Sequence, residues 1–315
     1  MNSNYLEYVM VDYIQSHIIG TELQNIILPL KSHPINSDRS IQIWMELLFT
    51  SICHQTNWDK LYNKFVLLFT EQPLLFEPKR LINLKHREFI NMFGEEFDCN
   101  GLRERINTLK LLANFFDNSS INIEDFIPKV VILGGLNGLY ERLDKFTPFS
   151  VDPLRKKARV FVHQLLSYSL IEVIDSDNIL PAIDYHLIRL YIRTGRVIPT
   201  QDIRLLKLAE HKVNRIEIQT HIRRAVETAM WYTASGARLR IDKLNHIEWQ
   251  IARSFCLREE PLCNGPPSLN KRMGSEVSLL SLRVNNRCPN VNQCAAVNFK
   301  PLFNAKEPKS AKTFY

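Results

Sequence analysis

Four cysteines, Cys256, Cys263, Cys288 and Cys294, crowd into one stretch near the C-terminus of a 315-residue chain that has six in all. Thiols gathered this way are soft donors for zinc or iron, or partners in disulfides. Six residues separate the first two, in "SFCLREEPLCNGPP", and five separate the last two, in "NRCPNVNQCAA". Zinc knuckles usually place paired ligands two to four residues apart, so these gaps favour an iron–sulfur cluster, whose ligands accept wider loops, with zinc as the alternative. Further upstream, Asp184 in "LPAIDYHLIRLYIRTG" stands just before an apolar-periodic run. That position is typical of a helix N-cap, and it also fixes a carboxylate in space.

The rest of the chain decides which of these chemistries has a setting. The opening "MNSNYLEYVMVDYIQ" lacks the basic and apolar regions of a signal peptide, and no run approaches the ~18 apolar residues of a membrane span. An intracellular protein is expected, in the cytoplasm or a nucleus, with no membrane partner. Thiols stay reduced there, which favours metal ligation over disulfides. The formal charge of +7 is concentrated: between Arg189 and Arg258 there are 14 Lys/Arg against 6 Asp/Glu. Such a segment reads either as a grip for polyanions, with Arg189, Arg193, Arg223 and Arg224 as phosphate contacts, or as a solvated helix face.

Apolar residues recur three and four apart in "IQIWMELLFTSICHQTNWDKLYNKFVLLF", "GLRERINTLKLLANFF", "KKARVFVHQLLSYSLIEVI", "IQTHIRRAVETAMWYTA" and "LNHIEWQIARSFC". No pair of alternating runs joined by a tight turn accompanies them, so the class is all-α. In "PFSVDPLRK", Asp152 is expected to cap a helix with Pro153 at its first position. The punctuation divides the chain into a central helical domain, 39–177, a second formed by 1–38 with 178–295, and a basic flexible tail, 296–315.

At this point the residues resemble a family, the helix-hairpin-helix DNA glycosylases of the endonuclease III type. The cluster loop of that family separates its cysteines by six, two and five residues; the six and the five recur here, with 24 residues, 264–287, in place of the two. Asp184, His186 and Arg189 match the segment in which a proline turn delivers the family's active-site aspartate. "WMELLFTSICHQTNWD" resembles its early helix and the glutamine-bearing loop that fills the gap left by an extruded base, matching Gln55 and Thr56. The resemblance implies a two-lobed fold with a C-terminal [4Fe-4S] loop, a monomer, and duplex DNA as partner.

The family's bifunctional members use a lysine after a glycine-rich hairpin as an amine nucleophile. "LGGLNGLYERL" is a degenerate version of that hairpin, with no lysine at the matching place. Lys156 and Lys157 are the nearest substitutes and are expected to face solvent, so strand-cleaving lyase activity should be weak or absent. A second resemblance, to the queuosine-nucleotide glycosylases, rests on "RKKARVFVHQLL", "DSDN" and "AIDYHLIRLYI". It would make Trp58, in "HQTNWD", a surface for stacking a base, against the plainer reading of Trp58 as a core residue spaced from Trp44. Tyr185 is a further candidate substrate contact. His54, His163 and His186 read as core histidines, and Cys53 and Cys99 as ordinary thiols.

Together these imply a monofunctional N-glycosylase of base-excision type that removes a modified or damaged base from nucleic acid, with Asp184 stabilising positive charge on the sugar as the base leaves. The alternatives are release from a free modified nucleoside or its 5'-monophosphate, and a non-catalytic nucleic-acid-binding iron–sulfur protein.

Overall fold

The computed structural model describes residues 9–26, 32–54, 56–97, 101–119, 121–199, 216–265 and 287–307. Helix accounts for 61% of it and strand for 4%, so the all-α expectation holds. No helix among the described residues is long and apolar enough to cross a membrane. The chain forms two compact units, one of Met1–Pro29 with Leu180–Tyr315 and one of Leu30–Ile179.

The first unit opens with β1 (Val9–Val11) and α1 (Tyr13–Glu22). Asp12 caps α1 by accepting a hydrogen bond from the Gln15 N–H at 2.8 Å. The chain then forms the second unit. Its main helices are α2 (Arg39–Ile52), α3 (Trp58–Glu71), α4 (Pro78–Ile82), α5 (His86–Phe93) and α6 (Leu102–Asn118). After these come α7 (Ile123–Phe126), β2 (Val130–Val131), α8 (Leu139–Leu143), α9 (Thr147–Ser150), α10 (Lys156–Ser167) and β3 (Glu172–Val173). Back in the first unit stand α11 (Tyr185–Arg193), β4 (Val197–Pro199), α12 (Ile216–Ala237), α13 (Ile241–Ser254), α14 (Ala295–Asn298) and α15 (Lys300–Phe303).

In the second unit α2 is the central element, with every residue from Met45 to Ile52 buried and α3, α6 and α10 packed about it. Phe49, Phe65, Phe69, Phe76 and Phe93 form a chain of ring contacts beside it, Phe69 and Phe76 stacking with centroids 4.0 Å apart. Each such ring removes a large apolar area from water, which supplies most of the driving force. One carboxylate is enclosed here. Glu46 is fully buried and accepts from Tyr62 Oη at 2.7 Å, and Tyr62 Oη also lies within hydrogen-bond distance of Tyr168 Oη, at 2.9 Å.

The expected helix start at Pro153 needs correction. Pro153 is not at the start of a helix: α10 begins at Lys156 with Arg155 as N-cap at φ 51. Asp152 instead ties the turn before it, accepting from the Leu154 N–H at 3.1 Å and the Lys156 N–H at 2.9 Å. The glycine-rich "LGGLNG" is a turn between β2 and α8 tied at its start by Asp175, which accepts from the N–H groups of Leu133 and Gly134 at 2.8 and 2.9 Å. β2 pairs in parallel with β3, which brings Asp175 to that turn.

In the first unit β1 pairs antiparallel with β4, Val9 opposite Pro199 and Val11 opposite Val197. Helix α1 lies against α12 at backbone distance. A Cβ on Gly20 would stand 2.2 Å from the Thr233 carbonyl, and one on Gly236 would stand 2.2 Å from the His17 carbonyl. Glycine is required there by proximity. The tail expectation also changes, since residues 296–307 are ordered: Ala305 and Glu307 are buried and the segment carries α14 and α15. Residues 308–315 lie outside the described residues.

Gly236→Ala should lower the melting temperature by an amount equivalent to roughly 1–3 kcal/mol, because two helix backbones must separate to admit one methyl group. Gly265→Ala, whose Cβ would meet nothing within 4 Å among the described residues, should leave it unchanged. Thermal unfolding followed by circular dichroism compares the two.

Candidate functional site

Asp184 is the N-cap of α11. Its backbone is extended, at φ −117 and ψ −179, and Oδ1 accepts from the Leu187 N–H at 3.0 Å. The other oxygen, Oδ2, accepts from the indole Nε1–H of Trp249 on α13 at 2.9 Å. The carboxylate is therefore held at both oxygens. Behind it, Asn245 on the same helix accepts from the Ala182 N–H at 2.8 Å and anchors the "LPAID" turn, while the Arg253 guanidinium lies 4.2 Å above the Trp249 ring. Tyr185 opens α11, partly exposed, with its ring tilted against His186 at 4.1 Å.

The opposite face of α11 serves the cysteines. Arg189 and Arg193, read from the sequence as phosphate contacts, are 2% and 1% exposed and cannot reach a backbone outside. Their guanidiniums are committed to main-chain carbonyls. Arg189 donates from Nε to Cys256 O at 2.7 Å and from Nη2 to Ala252 O at 3.2 Å, and Nη2 also contacts His186 Nδ1 at 3.0 Å. Arg193 donates to the carbonyls of Leu257, Arg258 and Ala305, the last two at 2.8 Å. Glu307 balances this charge, pairing with Arg189 at 3.0 Å and Arg258 at 3.1 Å. Arg223, on α12, is fully buried as well, so of the four expected phosphate contacts Arg224 alone is exposed.

Cys256, Cys263, Cys288 and Cys294 line one cavity together with Leu190, Arg193, Phe255 and Asn290. The Cys288 N–H donates to the Cys263 carbonyl at 3.1 Å, which draws the two ends of the inserted segment together. Residues 266–286 of that segment, and with them the role of the 264–287 insertion, lie outside the described residues. None of the four cysteines is in a disulfide. Three of them face N–H donors: Arg193 Nη1 stands 3.5 Å from Cys256 Sγ, the Asn290 amide faces Cys288, and the Ala296 and Val297 amides face Cys294. Burial pushes the Cys288 thiol well up and Cys294 up to about 11, against the pull of those amides. Among the described residues no group of three or more His, Cys, Asp or Glu side chains is arranged to hold a metal ion. Four unbridged sulfurs around one cavity, three with N–H donors aimed at them, nonetheless fit the donor chemistry of a soft metal or an iron–sulfur cluster.

The second unit carries the remaining candidates. Gln55 lies outside the described residues. Thr56 sits in the break between α2 and α3, where Asn57 caps α3 by accepting from the Lys60 N–H at 3.2 Å. Trp58, the first residue of α3, is half-buried with its ring edge-to-face against Phe49 at 4.5 Å. Lys156 begins α10 and is half-buried.

Lys157 does not face solvent as expected. Its Nζ donates to Ser51 O at 2.8 Å and lies 3.0 Å from His54 Nδ1. Burial, together with the Lys157 and Arg105 charges, holds His54 down at about 3, so its ring is neutral and Nδ1 accepts. Burial in turn lowers Lys157 to about 8. Arg105 completes the arrangement by donating to the carbonyls of Ile52 and His54 at 3.2 and 2.6 Å.

Sequence reasoning missed Trp249, Asn245, Asn290, Glu307 and the pairing of Lys157 with His54. Trp249, Asn245, Glu307 and His54 are remote in the chain from the groups they meet and belong to no recognisable spacing, whereas Asn290 lies within the five-residue cysteine gap, where nothing in its type marked it out. No protein-family model matches the chain, and no curated protein does.

Two measurements follow from the geometry. Amine-selective labelling of Lys157, read by peptide mass spectrometry, should rise through about pH 8 as the amine loses its proton, well below the ordinary lysine range near 10.4. Glu307→Ala leaves the buried Arg189 without its carboxylate, and should cost roughly 3 kcal/mol in denaturant unfolding.

Proposed function

We propose that this chain is an N-glycosylase that hydrolyses the bond between a modified or damaged base and its sugar in nucleic acid, duplex DNA foremost, with Asp184 as the catalytic carboxylate. The observation that carries the reading is the two-sided hold on Asp184 by the Leu187 N–H and the Trp249 indole. As the base departs, positive charge grows on the sugar. A carboxylate oriented before substrate arrives stabilises that charge with no reorganisation, and it can align or deprotonate the attacking water. Each of its oxygens keeps a further lone pair beyond the bond it already accepts.

In this reading water is the nucleophile and the enzyme is monofunctional. The Lys157 amine is engaged by Ser51 O and the His54 ring. The fold is then of the helix-hairpin-helix glycosylase kind, and Cys256, Cys263, Cys288 and Cys294 would hold a [4Fe-4S] cluster. Bound by four thiolates, a cluster has no open position for substrate and supplies structural rigidity to the segment beside α11.

A second reading, release of the base from a free modified nucleoside or its 5'-monophosphate, is favoured by one observation. Burial of Arg189, Arg193 and Arg223 removes three of the cations that argued for a long phosphate backbone.

Base release by anaerobically purified protein, measured by mass spectrometry on damaged and modified duplexes beside queuosine monophosphate, separates the readings. Release from duplexes, abolished in Asp184→Asn, supports the first; release from the monophosphate alone supports the second; no release from any substrate returns the chain to a non-catalytic role. Trp249→Phe keeps an aromatic ring but loses the N–H, and should slow release about tenfold, equivalent to about 1.4 kcal/mol of barrier, out of proportion to any small fall in melting temperature from the lost volume. Borohydride trapping of a protein–DNA adduct would overturn the monofunctional assignment.

A further inference from the structure

Asn290 lies in the five-residue gap between Cys288 and Cys294, is fully buried, and lines the cavity that the four cysteines share. Its backbone amide already faces the Cys288 sulfur. Among the described residues neither Nδ2 nor Oδ1 of its side chain has a hydrogen-bond partner. A buried, unmet amide donor costs about 1–3 kcal/mol, and folded chains keep such a group chiefly where something bound satisfies it. Besides the four cysteines, the cavity is lined mainly by apolar residues such as Leu190, Phe255, Pro261 and Ala296.

We propose that the Asn290 carboxamide donates through Nδ2 to a sulfur of the iron–sulfur group held by the four cysteines, and thereby sets the electron affinity of that group. This rests on the cluster reading above. A hydrogen bond to a cluster sulfur stabilises the more negatively charged, reduced form and so raises the reduction potential. Arg193 Nη1, 3.5 Å from Cys256 Sγ, is a second donor toward the same ligand set. Asn290 is thus a tuning residue, with no part in ligation.

The test uses the full chain purified without oxygen. Iron and acid-labile sulfide are counted, and the midpoint potential is measured by protein-film voltammetry for the wild type, Asn290→Ala and Asn290→Leu. Equal iron and sulfide in all three, with a lower potential in both variants, is the expected result. Leucine keeps nearly the same volume with neither charge nor N–H, so it answers the question even where alanine fails to fold. An unchanged potential in an iron-loaded variant overturns the role of Asn290 while leaving the cluster in place. Wild-type protein that holds zinc, or neither iron nor sulfide after reconstitution, overturns the cluster reading itself, and the proposal with it.

Discussion

The first unit depends on two guanidinium groups that never reach the surface. Arg189 and Arg193 project from the inner face of α11 and bind the carbonyls of Ala252, Cys256, Leu257, Arg258 and Ala305. Those carbonyls belong to the end of α13, to the loop after it and to the C-terminal segment, none of which has regular structure to satisfy them. A buried carbonyl without a donor is costly, and a planar guanidinium with five N–H groups serves several at once. Glu307 pairs with Arg189 and so offsets part of the charge brought inside, and it also reaches Arg258 at the edge of the loop.

Because of this arrangement one helix has two duties. Its first residues hold Asp184, and its inner face holds the segment that carries Cys256 and Cys263. Trp249 and Asn245 couple α13 to the same helix from the Asp184 side, so the carboxylate and the cysteine loop are fixed by one pair of packed helices. A glycosylase would use such a frame to orient the carboxylate; an iron–sulfur group would stiffen the loop that the arginines already anchor.

In the second unit desolvation produces a different result. Lys157, His54 and Arg105 are crowded with carbonyls from the end of α2, and with cations this close the histidine stays neutral and the lysine holds its proton weakly. A lysine on an amphipathic helix usually turns outward, and the period of α10 gives no sign that this one does not. The carbonyls it meets lie over a hundred positions earlier in the chain.

The helical class was legible because apolar spacing in α2, α6, α10 and α13 reports a face to be buried, a local property of each segment. Asp184 was legible for a similar reason, since capping depends only on the residues that follow it. The cysteines stood out by their clustering alone. The arginines misled because charge in a sequence reads as surface, and only packing reveals that a cation has been enclosed to serve carbonyls. The start of α10 misled because Asp152 and Pro153 form a good helix entry in isolation, whereas the fold spends Asp152 on the turn and begins the helix four residues later. What the sequence by itself determined, then, was the set of local preferences: which segments are helical, where one carboxylate is capped and where thiols are concentrated. What only the tertiary structure decided was which distant groups meet, Trp249 with Asp184, His54 with Lys157, Glu307 with Arg189, because hydrogen bonds and desolvation act across space between residues whose separation along the chain carries no signal.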